Sequence, residues 1–170
     1  MSTPPYVPSI LIDQVIDALG EFLQPFIAGV LIVRGQVNRV PPPVTPFVKL
    51  TELLINDLET PSVTRDPANT QISMIGPARI DVQVDFYGPS AGDWCKAVKG
   101  VFRSVYAPAQ FPDGIKPLYC TDGTQAPLIT GEEQFETHWI ITASLQYNPT
   151  VIVPQQSATA LSINILEDLP

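Results

Sequence analysis

The chain has 170 residues, 45% of them apolar, which suits one domain with a sizeable core and excludes a disordered polypeptide. Its net charge of −8, without any Lys/Arg cluster, argues against a surface that holds duplex DNA by neutralising phosphates. Nineteen prolines speak against a helix bundle and for stiff connections, and no apolar run approaches the ~20 residues that span a bilayer.

The first eight residues read as an N-terminal tail. "MSTPPYVPS" has neither the basic segment nor the apolar stretch of a signal peptide, so a chain used without secretion is expected. Residues 9–23 predict a helix. Ile12, Val15, Ile16, Leu19, Phe22 and Leu23 share one face, with Asp13, Gln14, Asp17 and Glu21 opposite. Ser9 is the expected cap, and Pro25 limits the far end. A short apolar run comes next in "GVLIVRG", then a proline-rich arm at 41–46 that is expected to be extended.

"FVKLTELLI", residues 47–55, predicts a strand whose alternation is blurred. The stretch 56–78 is polar and reads as a long loop or protruding hairpin, of a length that usually serves function. "ARIDVQVDFYG" is the cleanest strand. Ile80, Val82, Val84 and Phe86 point one way, and Asp81, Gln83, Asp85 and Tyr87 the other.

"YGPSAGDWCK" then raises the question of a phosphate loop, since a glycine turn between strand and helix is how such loops are built. Asp93 and Trp94 stand where a lysine and a hydroxyl should be, and an anionic first turn competes with an anionic ligand. Structural capping is the better reading, with Ser90 as N-cap and Asp93 its partner. The helix should run over 91–105 and bury Trp94, Val98, Val101, Phe102 and Val105. Lys96, Lys99 and Arg103 fall outside that stripe, and Gly100 suggests a close helix contact.

Residues 106–134 are loop-rich, with a short strand near Leu118. "FETHWIITASLQYN" predicts a long strand in which Trp139, Ile141, Ala143, Leu145 and Tyr147 alternate with His138, Ile140, Thr142, Ser144 and Gln146. Pro149 and Pro154 break it, and "ALSINILEDL" predicts a last strand. The order gives an α+β fold: a mostly antiparallel sheet with two main helices on one face, and long loops.

Catalytic chemistry finds little support. His138, the one histidine, reads as a solvent-facing strand residue, and nothing in the spacing pairs it with Ser90, Cys95 or Cys120. Asp81 and Asp85 share a strand face and are placed roughly 7 Å apart as adjacent same-face positions, near enough for paired carboxylates or a cation site, but acids on the wet face of a sheet are ordinary and that is the better reading. Cys95 and Cys120 form no paired motif and read as free thiols, and with one histidine a zinc site lacks ligands. "CTDGTQ" has too few oxygen ligands for a calcium loop. No enzyme, cofactor or metal is expected.

The strings "PFVKLTELL", "QVDFYGPSAGDWCKAVKGVFRS", "PLYCTDGTQAPLITGEEQFETHWIITASLQYNP" and "VPQQSA" resemble the neck or tail-terminator proteins of tailed bacteriophages, chiefly those with contractile tails. The resemblance covers about residues 10–165 and rests on distinctive words such as "DFYGPSAGDW" and "GEEQ". It implies a virion protein assembled in the host cytoplasm into a ring, usually of six subunits, that caps the tail tube. Such a ring ends tube and sheath growth, offers the head connector a docking surface and lets DNA pass unheld. No catalytic residues carry over. Alternatives are another neck ring, such as a collar or head-completion protein, or a small nucleotide-binding protein or enzyme.

Two polar loops, 56–78 and 120–133, supply the expected interface residues: Asn56, Asp57, Thr64, Arg65, Asp66, Asn69, Asp122, Gln125, Glu132 and Glu133. The partners implied are further copies of the chain, tube and sheath proteins and the head connector; no membrane is implied.

Overall fold

The computed structural model describes residues 6–27, 29–35, 43–126, 128–129 and 135–155. Helix α1 (Ile12–Leu23) carries the predicted apolar face inward: Val15, Ile16, Leu19, Phe22 and Leu23 are buried, and Asp13, Gln14, Asp17 and Glu21 are exposed. Its start differs from the expectation. Leu11 is the N-cap and its N–H donates to the Gln14 Oε1. Ser9 instead donates its own N–H to the Thr150 carbonyl and accepts the Thr150 N–H on its hydroxyl, which ties the N-terminal segment to a distant strand.

Strand β1 (Leu31–Arg34) comes next, and Arg34 pairs with Asp13 and Asp17 on α1. Residues 41–42 of the proline-rich arm lie outside the described residues, and 44–46 form a bend. Strand β2 (Phe47–Asp57) outruns its predicted end. Its alternation is blurred by a register shift between Glu52 and Leu54. The polar stretch after it holds β3 (Ser62–Asp66) and β4 (Gln71–Ile75), an antiparallel pair. Strand β5 (Ala78–Tyr87) is followed by α2 (Ala91–Phe102), β6 (Ile115–Cys120), β7 (Thr124–Gln125) and the short pair β8 (Leu128–Ile129) and β9 (Phe135–Glu136). Strand β10 (His138–Tyr147) and β11 (Thr150–Pro154) complete the described order. Pro149 interrupts the run of β10 as expected, but the chain resumes as a strand at once. The predicted strand in "ALSINILEDL" lies outside the described residues.

The main sheet has the order β1-β2-β5-β10-β6, with β7 also paired to β10. Among its described strands only β1 and β2 run parallel. This is the expected α+β architecture, mostly sheet. Val48, Leu50, Ile80, Val82, Val84, Phe86, Ile141, Ala143 and Leu145 form one buried face, and α1 and α2 join it in a single core cluster. Phe22 of α1 stacks on Phe111 at 5.1 Å and meets the edge of Phe102 of α2 at 5.7 Å, so the two helices close over the sheet through one aromatic contact.

Helix α2 corrects four expectations. It ends at Phe102, leaving Val105 fully exposed. Its buried stripe is Ala91, Cys95, Val98 and Phe102, while Trp94 and Val101 are half-buried. Ser90 makes no side-chain cap bond, because its backbone (φ −96°, ψ 10°) is not the extended form that turns a cap side chain toward the helix N–H groups. Gly100 has open space where a Cβ would stand and makes no close contact. The other glycines of the turn are structural. Gly88 has φ +123° and sits against Pro46, and Gly92 lies where a Cβ would reach within 3.1 Å of the Trp139 indole nitrogen.

The three middle strands run on past the main sheet. Ala78 pairs with both Asp57 and Tyr147, and beyond that row Ile75 pairs with both Ser62 and Thr150. Thus β2, β5 and β10 continue as β3, β4 and β11, which form a second, three-stranded sheet. The breaks fall at Pro61, Pro77 and Pro149, bridged by Leu58 N–H to the Pro77 carbonyl (2.9 Å) and Gly76 N–H to the Pro149 carbonyl (3.2 Å).

Two substitutions test this packing by chemical denaturation. Phe22→Ala should lose about 3–5 kcal/mol as a core aromatic. Gly100→Ala should gain roughly 0.5–1 kcal/mol, because the helix prefers alanine and nothing obstructs the methyl. A loss at Gly100 would show a contact that the open space denies.

Candidate functional site

The helix-free face of the main sheet carries a polar cluster that the sequence reading placed in solvent. Asp85 is 1% exposed and His138 8%. The register sets Phe47, Tyr87 and His138 side by side on β2, β5 and β10. Their rings stack at 4.4 Å and 4.2 Å, which closes the row above Asp85. The His138 Nε2 lies 2.8 Å from one Asp85 oxygen, and the Lys49 ammonium 3.4 Å from the other. The Gln83 amide donates to both oxygens. A carboxylate removed from water is held by a cation, an imidazole and an amide.

Burial pulls the Lys49 pKa down, but the Tyr87 hydroxyl and the Asp85 carboxylate outweigh it, and the net shift is upward. Burial also raises Tyr87, against the opposing effect of Lys49. Cys95 and Cys120 sit in the core cluster on the helix side, so neither shares a face with His138. Burial raises both thiols, which keeps them protonated and poorly nucleophilic. The arrangement can lock three strands in register; it brings no thiol to its imidazole.

The spacing expected of the two aspartates needs correcting as well, and with it goes the geometry for paired carboxylates. Gln83 stands between Asp81 and Asp85, so the two are four residues apart, about 14 Å along the strand. Asp81 belongs to a separate group, accepting from the Ser144 hydroxyl at 2.5 Å and pairing with Arg79 at 3.2 Å.

The second surface is the distal sheet, β3-β4-β11. Every residue of β3 is exposed, and β4 and β11 are at best half-buried. Val63, Met74 and Val151 align in one row, and Arg65, Ile72 and Val153 in the next same-face row, so one side is largely apolar. Leu53, Leu54, Ile55 and Leu58, at its junction with the main sheet, are also between 42% and 51% exposed. The tip turn is stiffened from within: Asp66 accepts the Ala68 and Asn69 N–H groups and the Asn69 amide, which lowers its pKa.

Over residues 13–168 the chain matches the family model described as phage neck terminator protein. It belongs to that family. None of the curated proteins matches the chain. Membership supports a structural virion protein at the phage neck, where head and tail meet and other phage proteins are its neighbours.

On this neck terminator the predicted interface residues fall into two groups. Thr64, Arg65 and Asp66 lie on β3, Asn69 in the tip turn, and Asn56 and Asp57 at the end of β2 where the distal sheet begins. Gln125 opposes Trp139 at the other end of β10, about 27 Å away along the strand. Asp122 is held there by Lys99 of α2. Glu132 and Glu133 lie outside the described residues. Asn56 and Asp57 are strand residues rather than loop residues, and Asp66 and Asn69 are occupied with each other. The apolar face of the distal sheet was not foreseen, because Thr, Asn and Asp dominated the reading; the alternation in "QISMI" and "VIVP" was the available signal.

The polar cluster yields a pH test with a definite sign. Lys49 and Tyr87 hold their protons to higher pH in the fold than at their ordinary 10.5 and 10.0. Their contribution is complete below those values and is lost as pH rises through the folded ones. Melting temperature should therefore fall above about pH 10, and more steeply in wild type than in Tyr87→Phe. Equal slopes would remove Tyr87 from the linkage.

Proposed function

We propose that this chain assembles into a ring, six copies by the family resemblance, that ends the tail tube and sheath and receives the head connector. One observation carries the reading: a neck terminator that extends a three-stranded sheet beyond its core, with an apolar side that is half-exposed among the described residues. Such a face is stable when something packs on it, and a ring offers a neighbour at every position. Thr64, Arg65 and the junction residues Asn56 and Asp57 are its contact residues in this reading. Asp122, Gln125, Glu132 and Glu133 serve a second contact at the opposite end, so that two different patches meet around the ring.

The net charge of −8 suits a channel through which DNA slides without being held. The role requires no catalysis. A collar or head-completion ring is the alternative within the neck, and symmetry separates the two: sixfold on the tail side, twelvefold on the head side.

Replacing residues 62–75 by a tight turn should leave a folded domain, since loop closure changes only logarithmically with length. In place of the natural protein, that variant should yield tails of irregular length or tails without heads, counted by electron microscopy. Uniform tails joined to heads would exclude the distal sheet from the mechanism. Purified wild type should show sixfold rings in averaged images, and twelvefold rings would favour the collar reading.

A further inference from the structure

The outer edge of β3 is exposed along all five residues, Ser62–Asp66; Pro61 and the charged Arg65 and Asp66 bound it, and Ser62, Val63 and Thr64 between them carry neither charge nor proline. Among the described residues β4 is its one sheet neighbour. Val63 and Arg65 stand on the apolar side with Met74, Ile72, Val151 and Val153, while Ser62, Thr64 and Asp66 stand on the other.

At the far edge of the same sheet, β11 delivers the chain to the tip. The Gln155 N–H donates to the Thr70 carbonyl at 2.8 Å, and the Gln155 Oε1 is buried with no hydrogen-bond partner among the described residues. Further along the chain, residues 161–165 read Leu-Ser-Ile-Asn-Ile in the sequence, an alternation of period two with β-branched residues and no proline or charge. The two sides of that alternation match those of β3: Leu161, Ile163 and Ile165 would lengthen the apolar face, and Ser162 and Asn164 would stand beside Thr64.

We propose that residues 161–165 of one copy add as a strand to the β3 edge of the neighbouring copy, an inference that rests on the ring reading above. Backbone hydrogen bonds supply the attraction, and the matched alternation fixes which side faces which. Donor and acceptor are different patches of one subunit, the head-to-tail relation that closes a ring. The six residues from Gln155 to Leu161 span at most ~20 Å, enough to leave the tip and reach an adjoining sheet. The β3 edge of the same copy lies across β4, two strand spacings or about 10 Å from β11, and the linkage test below separates that route from exchange between copies.

The test uses the full chain with Thr64→Cys combined in turn with Ser162→Cys and Asn164→Cys. Cys95 and Cys120 are buried and remain in place. Mild oxidation should link separate chains into a ladder on a non-reducing gel in at least one combination, and in none of the single variants. Links confined to one chain, or no link in either combination, overturn the proposal. Ile163→Asp in the full chain should weaken assembly at least tenfold by mass photometry while leaving the melting temperature of the unassembled subunit unchanged. An Ile163→Asp ring as stable as wild type overturns the strand exchange but leaves the ring reading standing. A wild type that forms no ring at any concentration overturns both.

Discussion

Everything in this molecule hangs on three strands that run through two sheets. β2, β5 and β10 keep their order as they become β3, β4 and β11, so any displacement of the core strands is carried into the distal sheet. What changes across the boundary is the covering. On the near side, Ile80, Val82, Val84 and Phe86 meet α1 and α2 and are fully buried. Beyond Pro61, Pro77 and Pro149 the same strands lose the helices. Each proline lacks an N–H for the ladder, and two backbone hydrogen bonds across the break keep the strands from fraying there.

That geometry explains the polar cluster on the helix-free face. A five-residue ladder that no described helix covers holds its register less firmly than the main sheet, where the alignment of the same strands is set. The Phe47–Tyr87–His138 row and the Asp85 network span three adjacent strands at matched positions. A slip of one residue on any of them would turn its contributors to the opposite face and leave Asp85 without its partners. An uncompensated buried carboxylate costs about 3–5 kcal/mol, so such a slip is opposed on top of the apolar contacts it would lose. Specificity of alignment, more than net stability, is what a network of this kind supplies.

The sequence disclosed those parts of the fold in which one periodicity dominated. α1 and β5 show clean 3.6 and 2.0 patterns, and their buried faces were legible residue by residue. α2 was misjudged because its valines continue past Phe102, and periodicity cannot say where a helix stops when Ser104 and Tyr106 offer no clear breaker. The burial of His138 and Asp85 was invisible for a different reason. It depends on which strand lies beside β5, and that pairing crosses more than fifty residues of chain. A polar face looks wet until its cross-strand partners are known. The distal sheet was read as a loop or hairpin from its composition, yet its apolar alternation is spread over β4 and β11, which are distant in sequence and meaningful only as neighbours.

Charge distribution adds the last step. The distal strands contain one arginine and one aspartate, Arg65 and Asp66, and the stretch 150–155 carries no charge, so this sheet is neutral within a chain of net charge −8. Copies of an acidic protein repel one another at separations comparable to the Debye length, about 8 Å at physiological salt. A contact made through a neutral, apolar-sided sheet avoids adding to that repulsion, and it desolvates few charges. The other acidic side chains lie outside these distal strands. Charge and apolar exposure are thus separated by position: a neutral sheet where the strands project beyond the core, and the acidic side chains elsewhere. The proline breaks mark that boundary, because they end the helix-covered core and begin the distal sheet.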